Sequence, residues 1–271
     1  MSGSTPITFV VAVNGREVLE KNFLASPGLC EFSRNQILLQ EGFLSASKAY
    51  NDALDRSEND LIVFLHQDII LPKSWLPQLD RALTWLEAHD PNWGVIGCYG
   101  ETRNDGGRGH VYSSGRGILG TPFERPVPIQ TLDEIVLIFR KSSGLRFDES
   151  LPHFHLYGTD ICLRALTMGR TSYAISAFCI HNTTQPLVLP PKFYESWRYI
   201  RRTWENNLPI QTTCVRITRL NIPVYVKRLQ ALYLRYIRRK EVGGKREENV
   251  QRLLERVNED LRDAKSVVCS I

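Results

Sequence analysis

The chain has little of what marks a membrane or secreted protein. No run of eighteen apolar residues occurs in its 271 residues, whereas a helix needs about twenty to cross a bilayer. A helical membrane span is therefore excluded. Met1-Ser2-Gly3-Ser4 shows neither a basic region nor an apolar leader, so a cytoplasmic location is the expectation. There are six cysteines and none is spaced Cys-x-x-Cys, which points to buried or idle thiols in a reducing compartment rather than to disulfides or zinc. Acidic residues are nearly missing from 192–240, where Glu195 and Glu205 stand against twelve Lys/Arg. That segment carries +10 of a net +5, which leaves about −5 on the rest. A cationic segment on an acidic body suits an anionic partner: phosphates, an acidic glycan, or peripheral contact with an anionic membrane surface. Nucleic acid is set aside, because the body is acidic and no nucleic-acid motif occurs.

Hydrophobic residues make up 42% of the chain, enough for the core of one large α/β domain with a helical tail. Ile7–Val13 and Leu61–Leu65 are short, apolar and rich in β-branched residues, as buried strands are. Further strands are expected at 93–99, 135–139 and 171–180. Helices are expected over 44–58, 74–89 with a stripe of Leu76, Leu79, Leu83 and Leu86, and 160–168. The glycine-rich stretch 100–121 reads as a long loop. Beyond residue 190 two more helices are expected. One follows Pro223, with Tyr225, Leu229, Leu232 and Tyr236 on a face. The other runs from about 246 to 264, with Val250, Leu253, Leu254, Val257 and Leu261 as a stripe that suits packing on the domain or on a second copy in a homodimer.

Strands alternating with helices predict an open, mostly parallel sheet, whose ligands bind beyond the carboxyl ends of the strands. Asn14, His66-Gln67-Asp68 and His181 each directly follow an apolar strand, which gathers them on one edge. Asp68 closes a strand too apolar for a carboxylate that only packs. It is a candidate ligand for a hard divalent cation such as those that bind nucleotide phosphates, and its bland alternative is a turn cap before Pro72. His66 or Gln67 would hold phosphates or sugar, and His181 is a candidate second metal ligand. Asp148, Glu149, His153, His155 and Asp160 place five ionisable groups within thirteen positions. A general base could come from this set, although Asp160 equally suits a helix N-cap.

Four segments in order carry a resemblance: Ser47–Ala53, Asp60–Asp68, Gly144–Glu149, and Asp160-Ile161-Cys162-Leu163-Arg164 with Gly169 following. Over residues 5–185 the chain resembles the family 2 glycosyltransferases, and among them the branch grouped with the StrF-like enzymes. The resemblance implies the GT-A fold, Rossmann-like with flanking helices, over residues 1–190, and leaves 191–271 as a basic helical C-terminal extension. It also implies a nucleotide-diphosphate sugar donor, Mn²⁺ or Mg²⁺, and transfer to a hydroxyl acceptor, such as a glycan, with inversion. Asp68 matches the last acid of the family's Asp-x-Asp metal motif, His66 stands at the first, and His181 falls at a metal-binding histidine. Asn14 and Asn51 match positions near the nucleotide. The usual base position falls on Gly158, which leaves Asp160 or His155 for that role. These departures also suit a non-catalytic nucleotide-sugar or glycan-binding protein. A sugar-phosphate nucleotidyltransferase would need a glycine-rich loop after the first strand, where only Gly15 occurs.

Overall fold

The computed structural model describes residues 5–31, 35–184, 189–236 and 246–268. In chain order the first half contains β1 (Ile7–Val13), α1 (Arg16–Lys21), β2 (Gln36–Glu41), α2 (Ala46–Arg56), β3 (Leu61–His66), β4 (Ile69–Ile70), α3 (Trp75–His89), β5 (Ile96–Gly97) and β6 (Tyr99–Glu101). The second half contains β7 (Gly107–Ser113), β8 (Gly117–Gly120), β9 (Val127–Ile129), β10 (Thr131–Leu132), β11 (Val136–Arg140), α4 (Tyr157–Thr167), β12 (Ser172–Ala174), β13 (Cys179–His181), α5 (Pro191–Thr203), α6 (Ile222–Tyr236) and α7 (Val250–Val268).

The larger sheet has seven strands in the order β2-β1-β3-β11-β5-β12-β9. β1 runs parallel to β2 and β3, and β11 lies antiparallel between β3 and β5. β12 is parallel to β5, and β9 closes the edge antiparallel. Five of the seven strands therefore point the same way as β1, as an α/β sheet with flanking helices requires. The apolar runs explain its centre. Six of the seven residues of β1 are β-branched or aromatic, and Leu61–Leu65 of β3 are all buried. Phe64, Phe139, Phe147, Tyr50 and Tyr157 form a continuous aromatic cluster between this sheet and α2 and α4.

A second sheet, β10-β6-β7-β13-β4 with β8 on β7, packs beside the first. It corrects the long loop expected over 100–121. Several of the glycines there allow close approach, while Gly106 and Gly117 have open space around them and take positive φ. A Cβ on Gly109 would lie 2.4 Å from the Cys98 carbonyl oxygen, and one on Gly120 would lie 2.0 Å from that of Gly109. Two expected strands also divide. Residues 93–99 become β5 in the large sheet and β6 in the small one, and 171–180 become β12 and β13. The chain passes from the large sheet to the small one at Gln67–Asp68, at Cys98, at Gln130 and at 175–178. Cys98, Cys162 and Cys179 are buried, Cys214 is half-buried, and none of the four is in a disulfide. The side chains of Cys30 and Cys269 lie outside the described residues.

Phe193, Trp197, Ile200, Trp204, Ile210 and Ile217 enter the main core, so α5 and the segment after it share one interior with the large sheet. α7 behaves differently. Its Leu253 and Val257 are buried against Ile70, Tyr112, Phe178 and Ile180 of the small sheet, which is where the expected stripe finds its partner. Of the stripe expected on α6, Tyr225, Leu229 and Leu232 are exposed and the side chain of Tyr236 lies outside the described residues; among the described side chains of that helix only Val224 is buried.

Candidate metal centre

The site lies at the seam between the sheets. β3 ends at His66, the chain turns through Gln67 and Asp68, and β4 begins the small sheet at Ile69. β13 pairs antiparallel with β4, bringing His181 opposite Ile69, and the Asn182 amide donates to the Asp68 carbonyl at 2.9 Å. Gln67 ties this corner to the end of β1. Its Oε1 accepts from the amides of Asn14 and Gly15, both at 3.0 Å, and its Nε2 donates to Asn14 Oδ1.

His66, Asp68 and His181 each direct one ligand atom into a common space, with all three atoms within 4.8 Å of one another. Asp68 Oδ1 is 3.3 Å from His181 Nε2, yet among the described residues that buried nitrogen makes no hydrogen bond. A buried polar atom without a partner is costly unless something binds it. The orphaned nitrogen and the two-imidazole, one-carboxylate donor set both fit a divalent cation. His66 Nε2 lies 2.9 Å from the Tyr157 hydroxyl, which donates to the Glu134 carbonyl at 3.2 Å. With its hydrogen so placed, the hydroxyl oxygen accepts from Nε2–H. That leaves Nδ1 of His66 as the lone-pair nitrogen. Burial would raise the Asp68 carboxyl, but His181, His66 and Arg246 around it outweigh that and hold it well below the usual carboxylate range. His66 is held below the ordinary histidine value, first by burial and then by His181.

Arg246 was not legible as a site residue. It lies 178 positions from Asp68, and its Nη2 reaches Asp68 Oδ2 at 3.2 Å. Asn182 delivers it: the side-chain amide of Asn182 pairs with the backbone of Glu247 at 2.8 and 2.9 Å, and Arg246 Nε donates to the Asn182 carbonyl at 3.0 Å. The one local signal was the polar Asn182 directly after His181.

A cleft of about 650 Å³ opens over these groups, a size that suits a small ligand. Six of the eight candidate residues line it: Asn14, His66, Gln67, Asp68, His155 and His181. His155 is carried in by a strained segment, since His153 and Leu156 adopt φ of 66° and 63°. Non-glycine residues held there cost about 1–3 kcal/mol each and cluster at functional sites. Burial pushes His155 down to about 4, with His66, His153 and Lys192 adding to the effect, so it is neutral at ordinary pH.

The other two candidates point elsewhere. Asn51 is buried and pins residues 147–149, donating to the Phe147 carbonyl and Glu149 and accepting from the Phe147 amide. Asp160 is buried inside α4, with Oδ2 on Arg164 Nε at 2.6 Å and Oδ1 on Trp204 Nε1 at 2.8 Å. The N-cap alternative for Asp160 is also corrected, because α4 starts at Tyr157 with Leu156 at the cap position. Leu156 has no capping side chain, and the carboxyl of Glu134 lies near the amides of Leu156 and Gly158, whose influence opposes the effect of its burial. Gly158 has no room for a side chain: a Cβ would lie 2.7 Å from the Leu132 carbonyl and 3.2 Å from Glu134 Cγ.

Burial, followed by the charge of Asp133, pushes Glu134 up to about 8. The native state therefore holds a proton that the unfolded chain releases near pH 4.5. Stability is full below that pH and falls as pH rises through about 8. The side chain is half-buried, so water screens part of the effect. Glu134→Gln is expected to gain about 2 kcal/mol relative to the native protein between pH 5 and pH 8. Urea unfolding at the two pH values measures this, and equal slopes for both proteins would contradict it.

No protein-family model matches the chain. It is 27% identical over 152 residues to a Fuscovulum blasticum protein described as ATP synthase subunits region ORF 6, covering 49% of this chain and 55% of that one. The chain thus spans about half the length of that relative. Similar solved structures include S. aureus TarS in complex with UDP, at a TM-score of 0.47 and 13% identity over 87% of this chain and 74% of that one. GalNAc-T7 with UDP, GalNAc and Mn²⁺ gives 0.47 and 9%, over 88% and 57%. A Pyrobaculum calidifontis mannosyltransferase with GDP-Man and Mn²⁺ gives 0.41 and 14%, over 72% and 60%.

Proposed function

We propose that this chain is an inverting glycosyltransferase of the GT-A type, taking its sugar from a nucleoside-diphosphate donor bound in this cleft. The observation that carries the reading is the convergence of His66, Asp68 and His181 with Arg246 at the carboxyl end of β3, where the two sheets meet. The donor site then draws on residues 1–190 and on Arg246 from the C-terminal extension. His66, Asp68 and His181 would hold the divalent cation. When bound, the cation would neutralise charge developing on the departing diphosphate, which is the main electrostatic demand of this reaction. Arg246 adds a fixed positive charge beside it. Gln67 and Asn14 hold the ends of β3 and β1 together under the donor. His155, neutral and in the cleft, takes the proton of the attacking acceptor hydroxyl. Attack from the face opposite the diphosphate forms the new glycosidic bond as the old one breaks, which inverts the anomeric carbon.

Two imidazoles and a single carboxylate favour Mn²⁺ over Mg²⁺, because Mg²⁺ prefers an oxygen-only shell. Titration calorimetry with UDP, GDP and dTDP tests the reading. At least one is expected to bind in Mn²⁺ and more weakly in Mg²⁺, and no metal-dependent binding of any of the three would sink it. The glycine at 158 favours a second reading, a nucleotide-sugar-binding protein without turnover. A donor screen that follows release of the nucleoside diphosphate separates the two, with His155→Ala expected to stop release while leaving donor binding intact.

A further inference from the structure

We propose that the outer face of α6 is a docking surface for an anionic lipid bilayer. Leu220, Ile222, Tyr225, Val226, Leu229 and Leu232 are 44–68% exposed. At 3.6 residues per turn, the five of these that lie on α6 fall within an arc of about 120°. This is one continuous apolar face, in contrast to the scattered single leucines of an ordinary surface. The opposite side of the helix is tethered: Val224 is buried in the main core, and the Arg228 guanidinium lies 5.8 Å over the Tyr194 ring of α5. α6 is thus fixed to the body with its apolar face outward, whereas the comparable stripe of α7 is covered by the small sheet.

Charge decides the occupant. Residues 206–240 contain eight Lys/Arg and no Asp or Glu. Two copies joined through this face would bring their positive charges together, which disfavours a symmetric dimer. A bilayer with anionic headgroups satisfies both features. The aliphatic side chains enter the boundary between headgroups and acyl chains, Tyr225 suits the interface, and the lysine and arginine ends reach the phosphates.

Flotation of the full chain on vesicles tests this and does not depend on the transferase reading. Vesicles of phosphatidylcholine alone are compared with vesicles in which about one lipid in three is phosphatidylglycerol. The chain is expected to float with the anionic vesicles alone and to detach as salt rises. Leu229→Glu and Arg219→Glu, both at exposed positions and the second beside Leu220, are expected to weaken partitioning by about tenfold or more with unchanged circular dichroism. Three results would overturn the proposal: no flotation with anionic vesicles, undiminished flotation of Leu229→Glu, or a concentration-dependent dimer in sedimentation that Leu229→Glu dissolves.

Discussion

Asp68→Ala is expected to weaken metal-dependent nucleotide binding by about a hundredfold or more, and to abolish any transfer activity with it. Loss of a partner that merely orients a metal ligand costs ten- to a hundredfold, and Asp68 is proposed as a ligand itself. It is also the one acidic member of the set, so its removal takes away all of the negative charge offered to the cation. The substitution leaves His66, His181 and Arg246 facing one another without a carboxylate, so Asp68→Asn, which keeps the shape, is measured beside it. Free Mn²⁺, read by electron paramagnetic resonance, reports metal binding without nucleotide. There Asp68→Asn should bind little metal, while Arg246→Ala should bind it normally. With nucleoside diphosphate added, Arg246→Ala should lose about ten- to a hundredfold in affinity, as expected for one charge-assisted contact. Native metal and nucleotide affinity in Asp68→Asn would remove the basis for this site.

Arg164→Ala is expected to destabilise the fold by about 3–5 kcal/mol. Arg164 Nε bonds to Asp160 at 2.6 Å, and Nη2 makes a short contact with Asp148. Asp148 also accepts from the Tyr199 hydroxyl, and Asp160 from the Trp204 indole, so the network joins α4 to α5 and the residue after it. The Asp160 side chain is 1% exposed. Burial pushes its carboxyl above the ordinary value, and Arg164 and Trp204 pull it back. Removing the arginine strands a buried carboxylate, and breaking such a pair from one side typically costs about 3–5 kcal/mol. For a chain of this size that is about 10 °C in melting temperature. Urea unfolding measures it, and a loss below about 1 kcal/mol would mean that the network contributes little. Asp160→Asn keeps an oxygen for Trp204 and should cost less. It should also retain turnover once stability is matched. Loss of turnover at native stability would instead make Asp160 the base.

Much of the site was legible because the ligands follow directly on apolar strands. Asn14, His66-Gln67-Asp68 and His181 could be gathered on one edge from strand ends alone. Asn51 and Asp160 matched motif positions, yet both are occupied by internal bonds that join segments 96 and 44 positions apart. Nothing near either residue in the chain announces such a partner. The glycines of 100–121 carried a turn signal because glycine answers equally to a loop and to two backbones in close contact.

The sequence by itself determined the strands at the centre of the large sheet, the stripes of α3 and α7, the asymmetry of charge, and the two metal-ligand candidates Asp68 and His181, to which the tertiary structure added His66. Each of these is local: a period of two or 3.6, a run of one sign, or a polar residue directly after an apolar run. Only the tertiary structure decided that 93–99 and 171–180 divide between two sheets, that α7 finds a partner while α6 presents its face to solvent, and that Arg246 reaches Asp68 from 178 positions away. Those outcomes depend on which surfaces meet when the chain closes. The free energy of such a meeting belongs to both partners, so neither segment carries it alone.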